Sequence, residues 1–484
     1  MKNNQIKRMN LVLRPDHTRV LLRPFLRING LRTCRICADV MALSESKVHA
    51  LWAQVQSEFG NRHVKIDEVL LRRFEEVRPC VGADRELSRE RKLLLGAYFS
   101  HEYSLEAAAL FNPSMVPHPD QSHLPRGALR FILSLRATGE GHISSITFRA
   151  GILDAKNHIK LTPATQYCFE PAQAPNAFYE KGLFDRKLQE LGLEGAFSRR
   201  ALHDLPEAFT LEELRGSVDR ASQQLWARKQ ETADVARKVI LLAQSNYEVQ
   251  FAPDSNLSER VLFPTSPSQS NGIEDARFVL FQDEDGAGTY YATYTAYDGR
   301  TILPQFIETP DFLHFKFITL NGAAVQNKGL ALFPRKIQGR YAMLGRQDYE
   351  NIYVMFSDHL HFWHTMQFTL KPKFPWEFIQ MGNCGSPIET EAGWLVLSHG
   401  VGAMRKYCIS AFLLDRDDPT QVIGRLREPL IKPNANEREG YVPNVVYSCG
   451  SLLHGRQLVI PYAMADSAAT FAAMPLDDVL AAME

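Results

Sequence analysis

Hydrophobic positions recur along this chain with two different periods. Between Ser44 and Gly60, Val48, Leu51, Trp52, Val55 and Phe59 stand three and four residues apart, the stripe of a helix that Gly60 ends. Ile66, Val69, Leu70 and Phe74 keep that period and predict a second helix stopping near Pro79. Residues 88–110 read as a third. Ahead of them, Leu11, Leu13, Val20 and Leu22 alternate with basic residues and are interrupted by Pro15 and Pro24, which predicts a short hairpin or edge strands over 10–40. Residues 1–104 are thus expected to form a mostly helical N-terminal extension, with Arg72, Arg73, Arg89 and Arg91 on a solvated face.

From Phe111 the period becomes two. Leu129–Leu135 and Ile143–Phe148 read as strands around a turn at Arg136–Gly141. The β pattern then breaks over about 184–246, where Thr210 and Glu213 form a capping box and Leu211, Leu214 and Val218 carry a helical face. This stretch is expected to be a helical insertion of two helices packed as a hairpin. After residue 250 the β pattern returns and repeats. Strand cores stand at Ala128–Leu135, Thr289–Tyr294, Arg340–Leu344, Gly393–Leu397 and Gln457–Pro461, the last four about 50–65 residues apart and each after a polar turn. A β unit with that period is the mark of a propeller blade. The expected fold is mainly β: a five-bladed β-propeller over 105–484, with the helical N-terminal extension and a helical insertion between the first two blades. A short helix at Pro475–Leu480 closes the chain.

Composition narrows the function. Lys plus Arg and Asp plus Glu both number 55, a net charge of zero, which argues against a dedicated nucleic-acid or membrane-surface protein. No apolar run approaches the roughly 18–20 residues that span a bilayer. Residues Met1–Arg8 are basic with no apolar run behind them, so no signal peptide is expected. Seven scattered cysteines fit a reducing cytoplasm. Cys34 and Cys37 make a lone C-x-x-C without a second pair, so no metal site is expected.

The chemistry gathers around residues 271–300. Glu274 and Asp275 directly precede a short apolar strand, Arg277–Phe281; a polar turn at Asp283–Gly288 and a second strand, Tyr290–Tyr297, follow. Asp275 therefore stands at the open mouth of a hairpin, where it either carries chemistry or simply starts the strand as an Asx turn. A propeller points one end of every blade at a central channel, so Asn112, Arg136, Asp275, Arg277, Lys328, Arg346, His399, Arg405, Tyr441, Asn444 and Asp466 could meet there. A few acids among several cations suit an anionic or sugar-like substrate. The same residues could instead tie blades together. If Asp275 is buried in such a blade-to-blade salt bridge, the enzyme reading fails and a non-catalytic propeller that binds glycans or proteins is the rival.

Several motifs carry a resemblance. Gly-Ile-Glu-Asp-Ala-Arg (272–277), Thr-Tyr-Thr-Ala-Tyr-Asp-Gly (293–299), Leu-Phe-Pro-Arg-Lys-Ile-Gln-Gly-Arg-Tyr-Ala-Met-Leu (332–344), Ser-Asp-His-Leu-His-Phe-Trp (357–363), Gly-Trp-Leu-Val-Leu-Ser-His-Gly-Val (393–401) and Gly-Tyr-Val-Pro-Asn-Val-Val-Tyr (440–447) resemble, in order, glycoside hydrolase family 130. The resemblance implies a five-bladed propeller acting on β-mannosides or manno-oligosaccharides. Most such enzymes are inverting phosphorylases that give α-mannose 1-phosphate, with inorganic phosphate as co-substrate and no other cofactor; some are inverting hydrolases. It implies Asp275 as the acid, protonating the glycosidic oxygen through the mannose 3-hydroxyl, although Ala276 replaces the motif's proline. It implies Asn112, Arg136 and Asp466 as sugar-binding residues, and Lys328, Arg346 and His399 as positive phosphate-binding positions; Arg277, Tyr441 and Asn444, at the ends of the β units, are expected to bind substrate as well. Gln380 stands where phosphorylases carry lysine. A hydrolase would need a carboxylate base, for which Glu377 or Glu439 is available. A homo-oligomer is left open.

Overall fold

A computed structural model describes residues 6–25, 30–82, 86–174, 178–224, 229–300 and 302–484. Most of residues 1–8, on which the leader reading rests, fall outside this set. The structure is mainly β, with helices in two blocks. In the first block, α1 (Leu31–Met41), α2 (Glu45–Phe59), α3 (Ile66–Val77) and α4 (Arg89–Tyr98) pack together. The Ser44 side chain caps α2 by accepting from Lys47 N, so the strong periodic signals gave α2 and α3 correctly. The extension departs from expectation at both ends. Residues 31–41 are a helix, not a strand, because its buried positions are Thr33, Cys37 and Val40, a helical spacing carried by weakly apolar residues. Residues 88–110 are not one helix. After Tyr98 the chain turns into strand β3 (Ser100–Ser104), which pairs antiparallel with β2 (Val20–Pro24), and then enters β4 (Ala109–Pro117).

The β portion consists of five successive antiparallel units. The first comprises β4, β5 (Leu129–Thr138) and β6 (Ser144–Leu153). The expected turn at 136–141 is shorter than predicted, since β5 runs on to Thr138. The second unit holds the strands Gly272–Gln282, Gly288–Tyr297, Ile302–Thr309 and His314–Thr319. Its first strand meets β6 at Gly272 and Ser144, joining the two units edge to edge. The third runs from Ala331 to Leu370, the fourth from Gln380 to Arg425 and the fifth from Val446 to Pro475. Strand β1 (Lys7–Arg8) adds to the outer edge of the fifth, so the start of the chain lies against its end.

Each unit buries its faces on its neighbours. Ile132 and Phe148 pack with Phe278 and Tyr290 between the first and second units. Val279 and Phe306 pack with Met343 and Trp363 between the second and third. Phe333 meets Trp394 edge-on between the third and fourth, ring centroids 5.1 Å apart. Leu397 and Ile409 pack with Ile460 and Tyr462 between the fourth and fifth. Leu133 and Phe131 meet Val459 and Phe471, fifth against first. Burying each such side chain contributes roughly 1.5–3 kcal/mol.

Among the described residues the insertion holds four helices, where two were expected: α5 (Lys181–Glu190), α6 (Ala196–His203), α7 (Leu211–Gln224) and α8 (Lys229–Gln244). The expected capping box is formed, Thr210 N donating to Glu213 Oε2 at 2.7 Å and Glu213 N to Thr210 Oγ1 at 3.3 Å. The capping box and the stripe of Leu214 and Val218 belong to α7. The bundle docks on the flank of the third unit, with Arg186 over Phe362 at 4.1 Å and Glu190 3.3 Å from His364. The closing helix α9 (Leu476–Ala481) is as predicted.

One buried charge cluster fastens the extension to the first unit. Glu106 is fully buried and accepts from Arg19 Nε (3.1 Å), Arg149 Nη2 (2.8 Å) and Asp16 N (2.9 Å). Removing the single carboxylate would leave two buried guanidinium groups unpaired. Glu106→Ala is therefore expected to destabilise the protein by about 3–5 kcal/mol, read as a lower urea midpoint.

Candidate functional site

The site starts from two matched irregularities. In β4 the register slips between Phe111 and Ser114, and in the strand Gly272–Gln282 it slips between Glu274 and Arg277. Inside these bulges Asn112 (φ 49°) and Asp275 (φ 53°) adopt left-handed backbone. That conformation is uncommon outside glycine but tolerated by Asn and Asp. A bulge re-aims a side chain out of the pleat, and here the two are aimed at each other. Asn112 Nδ2 donates to Asp275 Oδ1 at 2.7 Å. Arg136, on β5, donates to the same oxygen at 3.2 Å, to Glu274 Oε1 at 2.7 Å and to Ser144 Oγ at 2.9 Å. Lys328 Nζ lies 3.8 Å from Glu274 Oε2.

Asp275 thus does pair across two units, the arrangement that would suit a purely structural role. It is not sealed, however. The side chains of Asp275, Glu274, Arg136 and Lys328 keep 12, 16, 18 and 38% of their surface. A structural bridge also does not require left-handed backbone at both partners. Burial pushes the Asp275 carboxyl upward, but the charges of Arg136, Arg277 and Lys328 and the Asn112 bond outweigh it and hold it well below the usual carboxylate range. Asp466 goes the other way. It sits at φ 48° in the three-residue loop 465–467 of the last hairpin. Burial and the nearby Asp275 charge raise it to about 7, against the opposing pull of Arg136, Arg405 and Lys328. Of the two acids, Asp466 is the one inclined to hold a proton in the free protein.

A second cluster lies next to the first. Arg346 Nη1 is 3.2 Å from His399 Nε2, and both residues are buried. Guanidinium can only donate, so Nε2 accepts and the ring proton sits on Nδ1. Burial, then the charges of Arg346 and Arg277, depress the His399 imidazole far below its ordinary value. His399 is therefore neutral and supplies a hydrogen-bonding edge rather than the positive charge expected of it. A Cβ at Gly382 would come within 2.4 Å of His399 Cε1, so only glycine fits beneath the ring. Arg346 Nε is buried without a protein partner. Arg277 links the clusters: it donates to the Asp275 carbonyl at 3.1 Å and to the Tyr447 hydroxyl, and the Tyr447 ring lies 4.9 Å from His399.

The remaining expected residues are more dispersed. Lys328 turns toward Glu274 rather than to Arg346, although its neighbour Asn327 donates to the Arg346 carbonyl at 2.8 Å. Gln380 Nε2 donates to Tyr407 OH at 3.1 Å, and the Tyr407 ring stacks on His399 at 5.7 Å. Tyr441 is half exposed and its hydroxyl lies 3.1 Å from His142 Nδ1. Asn444 is tied within its own loop, accepting from Arg438 Nε at 2.9 Å. Arg405 lies at φ 54° in a hairpin tip. Of the two candidate bases, Glu377 is fully buried, its Oε1 bound by Arg425 and by the backbone N–H groups of Lys373 and Phe374 and its Oε2 without a hydrogen-bond partner among the described residues. Glu439 is exposed. Sequence reasoning noted Glu274 beside Asp275 without giving it a role, and did not single out Ser144, His142, Tyr407 and Tyr447. Glu274 and Tyr447 stood inside quoted motifs, whereas the others had no local signal. Among the described residues no group of three His, Cys, Asp or Glu is placed to hold a metal ion, and no helix is long and apolar enough to cross a membrane.

Comparison with known proteins gives the family. The family model of glycoside hydrolase family 130, described as beta-1,4-mannooligosaccharide phosphorylase, matches residues 227–484. A 1,2-beta-oligomannan phosphorylase of Thermoanaerobacter sp. (strain X514) is 34% identical over 231 residues, which span 46% of this chain and 75% of that protein. A beta-1,2-mannobiose phosphorylase of Listeria innocua is 30% identical over 236 residues, spanning 46% of this chain and 63% of the relative. A solved Listeria innocua beta-1,2-mannobiose phosphorylase, in complex with beta-1,2-mannobiose, aligns over 78% of this chain and 92% of that one at 21% identity and TM-score 0.46. On the extent of the family match and its agreement with the ordered motifs, the chain belongs to glycoside hydrolase family 130.

Proposed function

We propose that the chain is a five-bladed propeller enzyme that cleaves β-mannosidic bonds by inverting phosphorolysis, releasing α-mannose 1-phosphate. The reading rests chiefly on the pairing of Asp275 with Asn112 and Arg136 beside the Arg346–His399 cluster: an acid held by polar side chains next to a guanidinium with an unpartnered N–H. The propeller arrangement is supported by apolar packing that runs from each β unit to the next and from the fifth back to the first. The names of the relatives, phosphorylases of mannosides, support the substrate class.

In this reading Asn112, Arg136 and Asp466 hold the mannose, and Arg277 fixes the Asp275 backbone. Phosphate is held by Arg346 and by the hydrogen-bonding edge of His399, with Lys328 free to swing from Glu274. A phosphate oxygen attacks the anomeric carbon from the side opposite the aglycone, forming the new C–O bond as the glycosidic C–O bond breaks. The departing oxygen takes a proton relayed from Asp275 through the sugar 3-hydroxyl, and the proton that phosphate gives up restores the balance. Because Asp275 is ionised in the free protein, its proton must arrive with the substrates. A phosphate drawn against Arg346, and Lys328 drawn away from the carboxylates, would both make Asp275 easier to protonate.

The direct test is cleavage of mannobioses of different linkage with and without inorganic phosphate. The expected outcome is phosphate-dependent release of mannose 1-phosphate; equal rates without phosphate, giving free mannose, would sink the reading. Asp275→Asn should keep its fold and lose on the order of 10²–10⁴-fold in rate, as removal of a general acid does. Gln380→Lys should lower the phosphate KM by several-fold, because it sets a charge beside Tyr407 and His399 where a neutral amide now stands.

Asp466 makes a stability prediction with a definite sign. Its folded-state value of about 7 lies above the ordinary carboxylate value near 4. Its contribution is therefore fully present below about pH 4 and is lost as pH rises through about 7. Asp466→Asn should remove that slope, so the variant gains melting temperature relative to wild type at pH 8 but not at pH 4, as scanning calorimetry would show.

A further inference from the structure

The N-terminal extension lies outside the stretch that matches the family, yet it touches the hairpin that carries Arg136. Strand β3 carries Tyr103, whose buried hydroxyl donates to the carbonyls of Glu140 (3.0 Å) and Ile143 (3.3 Å). These carbonyls bracket the tip of the β5–β6 hairpin. The fit is close: a Cβ on Gly139 would fall 2.4 Å from the Tyr103 hydroxyl and 2.4 Å from the Ser104 carbonyl. The tip itself is tightly wound, with Gly141 at φ 68° and His142 at φ 61°, a left-handed non-glycine residue of the kind that collects at functional sites. The same hairpin supplies Arg136 and Ser144, and it places His142 against Tyr441. The two rings are 5.7 Å apart and tilted by 31°, with the hydroxyl 3.1 Å from Nδ1.

Exposure gives the arrangement a direction. Arg346 and His399 are buried at 7 and 2%, the Arg136 side chain is 18% exposed, and Tyr441 is 51% exposed. Exposure thus rises from the phosphate-side cluster to Arg136 and then to the His142–Tyr441 pair, which stands at the exposed tip of the hairpin that carries Arg136. Inversion puts nucleophile and leaving group on opposite faces of the mannose. The leaving sugar must then point outward, to a pair of rings with a hydroxyl and an imidazole edge, groups suited to packing on and bonding to a pyranose.

We propose that His142, with Tyr441, forms the rim that receives the sugar on the leaving-group side of the bond, and that Tyr103 of the N-terminal extension is its positioning residue. The inference rests on the phosphorolysis reading for the orientation of the substrate. It gives the extension a role: it sets the position of a hairpin that serves both sugars.

The test compares wild type with His142→Ala, Tyr103→Phe and the double variant. Calorimetry measures binding of a β-mannobiose and of mannose, and rates are measured against inorganic phosphate. His142→Ala should weaken mannobiose binding roughly 3–10-fold, the worth of a hydrogen-bonded contact, with mannose affinity and the KM for phosphate unchanged. Tyr103→Phe keeps the ring and should act in the same direction. The double variant should be no worse than His142→Ala, since Tyr103 acts through His142. Unchanged mannobiose binding in folded His142→Ala, or equal losses for mannose and mannobiose, would overturn the rim. Additive losses, or wild-type binding in Tyr103→Phe, would overturn the positioning role. A wild type that binds mannobiose but does not cleave it with phosphate would refute the reaction and leave the rim standing, whereas one that binds no mannobiose would refute the rim.

Discussion

No β unit of this chain can bury both of its faces alone. Each is apolar on both sides, and each finds cover on the units before and after it. The contacts that stabilise the fold are therefore long-range in sequence: Phe278 on Phe148, Trp394 on Phe333, Val459 on Leu133. The last closes fifth unit on first, and β1 adds a further tie between the ends of the chain. Such a framework holds the strand ends in fixed register with one another, which lets residues from separate units face each other at hydrogen-bonding distance.

That rigidity is what the site spends. Asn112, Asp275, Arg405, Asn444 and Asp466 all have positive φ. Left-handed or otherwise strained backbone costs about 1–3 kcal/mol per residue and persists only where the surroundings over-determine it. The Asn112 and Asp275 bulges occur at matching places in adjacent units, each just before a residue that packs or bonds across the junction: Ser114 Oγ accepts from Phe278 N at 3.0 Å. Junction and site are thus built from the same few residues.

The electrostatics follow from burial rather than from the count of charges. Arg136 lies between Glu274 and Asp275, and Arg277 sits against Tyr447, so most of the positive charge near the acid is already engaged. His399, beside Arg346, is forced neutral. The two carboxyls Asp275 and Asp466 are driven apart in proton affinity by their surroundings, the general device by which one site keeps an acid and a base at the same pH. Read as formal charges, Lys328, Arg346 and His399 are three cations; in the structure Arg346 is buried, His399 is neutral and Lys328 is partly exposed beside Glu274.

Where the hydrophobic period was long and clean, the sequence by itself determined the element: α2, α3, α7 and the repeating strand cores from residue 128 to the end. The ordered motifs from 272 to 447 also carried the family, because they are contiguous and need no partner to be recognised. Elements whose stripe is weak or shared went astray. Helix α1 shows only Thr33, Cys37 and Val40, and β3 follows α4 without a change in hydrophobicity that marks it. The pairings inside the site were beyond the sequence. Asn112 and Arg136 lie 163 and 139 residues from Asp275, outside the stretch that matches the family model. The neutrality of His399, the burial of Glu377 and the Tyr103 contact to the hairpin tip likewise depend on which atoms are desolvated together. Local sequence sets backbone preference and periodicity, but desolvation and proximity are properties of the packed chain, and only the tertiary structure decides them.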